Sequence, residues 1–135
     1  MKKNLHRIIM SALLTVVATV AASAQCYIVG SDNQWKTNAA AAELTETATA
    51  GVYEGEVTFA EGAQYFTVTQ NLTTGDDDYD WATFNQHRFG PSAPDAMLLI
   101  NEPMAMIKGK DRSFKVPTAA TTYRMRVDFN AMTVT

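Results

Sequence analysis

The chain has 135 residues, of which 47% are hydrophobic, 10% aromatic and 19% charged. That is the make-up of one folded domain, and it excludes a disordered tail, a collagen-like repeat and a multidomain enzyme. Eleven Lys and Arg stand against fourteen Asp and Glu, for a net charge of −3. Lys2, Lys3 and Arg7 precede every acid, so the chain after residue 24 keeps eight cations against fourteen anions, a net −6. A domain that acidic lacks the basic face that phosphate backbones need, which argues against a nucleic-acid partner. A single cysteine excludes an internal disulfide and a cysteine-rich zinc site.

Residues 1–24 read MKKNLHRIIMSALLTVVATVAASA: a basic start, an apolar stretch from Ile8 to Val20, then small residues. This is the order of a secretory signal peptide, and Ala22-Ser23-Ala24 places cleavage before Gln25. The apolar stretch is about 13 residues, short of the roughly 20 that span a bilayer. Cys26 follows the cleavage point as a lipidated cysteine would, but lipoprotein processing needs a small residue before it, and Gln25 is bulky. The expectation is export to the periplasm, the medium or the cell surface without a lipid anchor, with Cys26 packed as a small hydrophobe.

The rest, residues 25–135, reads as one domain of strands. Cys26–Gly30 is a β-rich run closed by the turn cluster Gly30-Ser31-Asp32-Asn33. Four alanines give residues 38–46 a helical character, too short to stand alone. From 51 to 59, Val52, Glu54, Glu56 and Thr58 alternate with Tyr53, Gly55, Val57 and Phe59, and the second set is expected to face a core. Glu61-Gly62 is a turn and residues 64–70 a returning strand, which predicts a hairpin. The run 97–100 reads as a buried strand and 112–116 as another, stopped by Pro117. Tyr123, Met125, Val127 and Phe129 share one face, with Arg124, Arg126 and Asp128 on the other. Asn130-Ala131 then turns the chain into 132–135. Seven or eight short strands with turns between them predict an all-β antiparallel sandwich.

Catalytic patterns are lacking. His87 is the single histidine after residue 24 and has no serine elbow near it; it reads as a surface loop residue. The glycines are scattered, so no phosphate loop is present, and no carboxylate pair stands out as acid and base. Asp76-Asp77-Asp78 and Asp80 lack the glycine and distal glutamate of a calcium loop and read as a solvated segment. No enzyme, cofactor or metal is expected. The tryptophans are more telling. Trp35 and Trp81 each stand in a polar segment, among Asn33, Gln34, Lys36, Asn85, Gln86 and Arg88. Flat rings beside directional donors are what a sugar needs, since its C–H faces pack on an aromatic and its hydroxyls require hydrogen bonds. One core ring and one rim ring is the alternative reading.

The order Tyr27-Ile28-Val29-Gly30-Ser31, Trp35, Ala42-x-Leu44 and Gly51-Val52-Tyr53-Glu54-Gly55-Glu56-Val57 resembles the opening of starch-binding carbohydrate modules. More closely, it is similar to the repeated domains of the SusE and SusF outer-membrane starch-binding proteins. Residues 109–135, with Phe114-Lys115-Val116-Pro117 and Met132-Thr133-Val134-Thr135, end as such domains end. The resemblance implies an immunoglobulin-like β-sandwich with no catalysis of its own. It implies an α-glucan or similar polysaccharide as ligand, with outer-membrane glycan-uptake proteins as partners. Trp35 and Trp81 fall where such modules stack glucose, and Asn85, Arg88 and Lys36 are the polar residues at hand. A structural or protein-interaction sandwich of the same scaffold is the other function open to it.

Overall fold

The computed structural model describes residues 24–40 and 42–135. The signal peptide assigned to residues 1–24 therefore lies, Ala24 apart, outside the described residues. Ten strands run in chain order: β1 Cys26–Gly30, β2 Ala42–Glu46, β3 Val52–Phe59, β4 Tyr65–Thr69, β5 Phe89–Pro91, β6 Ala96–Met97, β7 Met104–Lys108, β8 Phe114–Lys115, β9 Thr121–Asp128 and β10 Thr133–Val134. One α-helix among the described residues, α1, spans Trp81–His87 between β4 and β5.

The all-β, antiparallel expectation holds; the separation into two sheets does not. β1 bonds to β2 on one side and to β4 on the other, and β7 bonds to β10 and to β5. The ladder thus runs β1-β2-β3-β9-β10-β7-β5-β4 and returns to β1, a ring of eight strands. An open sandwich leaves edge strands with unpaired N–H and C=O groups, and closure removes them. Outside the ring, β8 joins β4, and β6 joins β8 in the one parallel pairing.

Alternation gathers large rings into one core, both across it and between neighbouring strands. Phe59 and Phe66 lie 5.6 Å apart, Phe66 stacks on Phe114 at 5.4 Å, and Tyr53 meets Phe129 edge-on at 5.7 Å. Tyr53, Val57, Phe59, Met125 and Val127 are buried as the alternation requires, while Arg124 and Arg126 are exposed. Val52 is also buried, against the alternation. Gly30 has no substitute, because a Cβ there would stand 2.1 Å from the Tyr65 carbonyl oxygen. That close approach seats the end of β1 on β4.

Three local expectations change. Residues 42–46 form β2, with Leu44 buried and paired across to Cys26; sheet pairing and a buried leucine outweigh alanine's helix propensity. β3 and β4 do not form a hairpin. β3 pairs with β2 and β9, and β4 with β1, β5 and β8, so the Glu61-Gly62 turn carries the chain between opposite walls of the core. Of the run 97–100 only Leu98 is buried, and Met97, Leu99 and Ile100 are exposed.

Glu54 accepts from Arg126 at 2.6 Å and from Arg124 at 3.0 Å, and these bonds hold its carboxyl below the usual carboxylate range. A depressed carboxyl contributes stability above its ordinary pKa, and that contribution fades as pH falls through the folded value. The β9 register has a direct check. Val127→Asp places an unpaired carboxylate at a site with 0% exposure and should cost more than about 3 kcal/mol. Arg126→Asp, at the surface, should lower the melting temperature far less; the reverse ranking in thermal melts would contradict the register.

Candidate functional site

The site begins in the turn after β1. Ser31–Asn33 makes a 3-10 turn, and Gln34 and Trp35 then take left-handed backbone conformations, φ 59° and 60°. A tryptophan at positive φ is strained by roughly 1–2 kcal/mol, so neighbouring bonds must hold it there. They do. The Trp35 N–H donates to the Gly30 carbonyl at 2.8 Å. Asn33 accepts from the Gly30 N–H through Oδ1 and donates from Nδ2 to the carbonyls of Lys36 and Ala39.

Thr37 joins this turn to the segment before α1. Fully buried, it donates its N–H to the Asp78 carbonyl at 2.6 Å, and its Oγ1 accepts from the Asp80 N–H at 3.1 Å. Thr73 meets it hydroxyl to hydroxyl at 2.8 Å. Asp80 in turn caps α1, its carboxylate accepting from the Thr83 N–H at 3.2 Å. The acidic segment is thus partly a tether. Trp81 and Asn85 on α1 and Arg88 at its C-terminal cap recur at helical spacing and line one cleft, while Phe84 is buried at 0% exposure.

The tether brings the two indoles together. Their centroids are 6.1 Å apart with planes inclined at 51°, and both rings are half-buried. Trp81 also meets Phe84 edge-on at 5.8 Å. The indoles form two sides of a cleft of about 370 Å³, completed by Asn85, Arg88, Asp111 and Ser113. A cleft of that size suits a small ligand or a short length of polymer.

Arg88 is the organising group. Its side chain is 1% exposed, and all five N–H groups are engaged. Nε donates to Thr67 Oγ1 of β4 at 3.2 Å; Nη1 donates to Asn85 Oδ1 at 3.1 Å and Asp111 Oδ1 at 2.8 Å. Nη2 donates to the Arg112 carbonyl at 2.8 Å and Ser113 Oγ at 3.0 Å. Burial pulls its pKa down and Asp111 pulls it back up. The guanidinium also lies 6.0 Å from the Trp35 ring centre, behind the cleft. Gly90 permits this arrangement: a Cβ there would stand 2.3 Å from the Arg112 carbonyl oxygen that Arg88 holds.

Of the residues singled out in the sequence, Trp35, Trp81, Asn85 and Arg88 converge on this cleft, and Lys36 does not. Lys36 pairs with Asp78 at 3.4 Å in the tether and is absent from the lining. Trp81 stands on a helix rather than a loop, a helix announced by Asp80 three residues before Thr83 and by the 81, 85, 88 spacing. His87 ends that helix and is half-buried. Asp111 and Ser113 were not foreseen, since they approach from a segment over 20 residues away with no local signal of their own.

Arg88→Lys replaces a planar five-donor fork with one ammonium and should destabilise the fold by about 2–4 kcal/mol in urea unfolding, because buried acceptors lose their donors. Lys36→Ala, which removes an exposed pair, should change stability by less than about 1 kcal/mol. No protein-family model, curated protein or solved structure matches the chain, so the site's chemistry has to be read from its own geometry.

Proposed function

We propose that this domain is an exported, non-catalytic carbohydrate-binding module whose cleft takes starch or another α-glucan. The observation that carries the reading is the convergence of the only two tryptophans in the sequence on one open cleft, beside polar groups held in fixed orientation. Half-exposed indoles offer faces for the C–H side of a pyranose, and the polar rim offers partners for its hydroxyls. The α-glucan rests on the resemblance to SusE and SusF domains, as do outer-membrane glycan-uptake proteins as partners. On this reading the closed ring is an immunoglobulin-like sandwich whose edges have been joined.

Export without a lipid is part of the proposal. Cys26 is fully buried at the start of β1, where burial pushes its thiol up to about 12. That burial favours a packed cysteine over an anchor on a free leash. Intact-mass measurement on protein from its native host should give a chain starting at Gln25; an acylated Cys26 would refute this.

A protein-interaction role is the second reading. Met97, Leu99 and Ile100 favour it, being 47%, 51% and 57% exposed in one short stretch. Titration with maltoheptaose separates the two. The wild type should bind weakly, because an open cleft leaves much of the sugar hydrated. Trp35→Ala and Trp81→Ala should each weaken binding roughly tenfold, since stacking on a ring is worth about 1–2 kcal/mol. Binding should hardly change with salt, as a neutral glycan gives no long-range attraction. A folded wild type that binds no glucan would leave the interaction reading in place.

A further inference from the structure

Arg88, the only cation lining the cleft among the described residues, has no side-chain N–H to offer a ligand, because all five already bond within the protein. What it leaves available is a pattern on its neighbours. Asn85 gives Oδ1 to Arg88, and its Nδ2 has no partner among the described residues. Asp111 gives Oδ1 to Arg88, and its Oδ2 is likewise unpartnered on a side chain 78% exposed. Ser113 Oγ accepts from Arg88, so its own hydrogen is free to be donated. The rim therefore presents an amide donor, a carboxylate acceptor and a hydroxyl, each held in orientation by one buried guanidinium.

Resting on the glycan reading above, we infer that Asn85, Asp111 and Ser113 read the hydroxyls of the ligand, and that the cleft selects neutral vicinal diols over carboxylated glycans. In a vicinal diol one hydroxyl can donate to Asp111 Oδ2 while its neighbour accepts from Asn85 Nδ2. A uronate keeps its C2 and C3 hydroxyls but carries a carboxylate at C6, which has no proton to give Asp111 and is repelled by that residue's unpaired oxygen. It also gains no net attraction from Arg88, whose charge Asp111 balances at 2.8 Å. Arg88 is thus a positioning residue and makes no contact with the sugar.

Asp111→Asn is the informative variant. It keeps an oxygen for Arg88 but turns the free acceptor into an N–H donor, and it leaves the Arg88 charge unbalanced. Wild type, Asp111→Asn, Ser113→Ala and Trp81→Ala would be titrated with maltoheptaose and with a maltodextrin oxidised at C6 to the uronate, each first checked by thermal melting. The wild type should prefer the neutral chain at least tenfold. Asp111→Asn should weaken maltoheptaose binding roughly tenfold, the worth of one charged hydrogen bond, and should strengthen binding of the oxidised chain. Ser113→Ala should weaken the neutral chain several-fold. Neutral binding unchanged in a folded Asp111→Asn variant, or equal binding of both chains by the wild type, would overturn the assignment. Loss of binding in Trp81→Ala alone would leave the glycan cleft standing without it, whereas a wild type that binds neither chain removes both.

Discussion

A guanidinium taken out of water must place each of its N–H groups on an acceptor or carry a penalty of several kcal/mol. Arg88 meets that demand by drawing on three separate parts of the chain. Thr67 comes from the β4 wall, Asn85 from α1, and Asp111, the Arg112 carbonyl and Ser113 from the segment before β8. Thr67 passes the connection on, its hydroxyl donating to the Phe89 carbonyl at 2.7 Å. Satisfying one cation therefore fixes where the helix sits against the ring and where the 111–113 segment crosses it. The cleft is the outer surface of that arrangement.

The second constraint is backbone strain at the other indole. Two successive left-handed residues, Gln34 and Trp35, turn the chain so sharply that the ring returns toward α1. Neither conformation is favourable alone. Asn33 and Thr37 hold them, Asn33 within the turn and Thr37 by bonding to the segment that leads into α1. Strain of this kind gathers where a side chain has to be presented in a particular way. Part of it lies beneath one of the two cleft aromatics, while Asp95, Asn101, Ala120 and Met132 take positive φ in turns and bends between strands.

How much of this could be read in advance divides along one line. Alternation found Tyr53, Val57, Phe59, Met125 and Val127, because a strand buried on one face writes its burial directly into every second residue. The closure of the ring left no such mark, because pairing between β1 and β4 depends on backbone approach at Gly30, which a sequence shows only as a glycine. Alanines misled at residues 42–46, where local propensity was weaker than pairing with β1 and β3. At the site, residue chemistry and the resemblance marked Trp35, Trp81, Asn85 and Arg88. Neither could show that Arg88 turns inward, because the acceptors that draw it there, Asp111 and Ser113, are distant in the chain. Lys36 was placed with the indoles by sequence proximity alone, and its charge is drawn instead to Asp78.

The pairing of the indoles has an optical consequence. Because Trp35 and Trp81 are the only tryptophans in the chain and lie 6.1 Å apart, all of its indole fluorescence originates beside the cleft. The domain carries its own reporter, with no emission from a distant core indole to dilute it. Emission colour and quenching follow the solvent and neighbours of that one cleft, and two chromophores so close and inclined also couple as a pair. Opening the tether at Thr37 would separate them and change the spectrum even where the β-ring stayed intact.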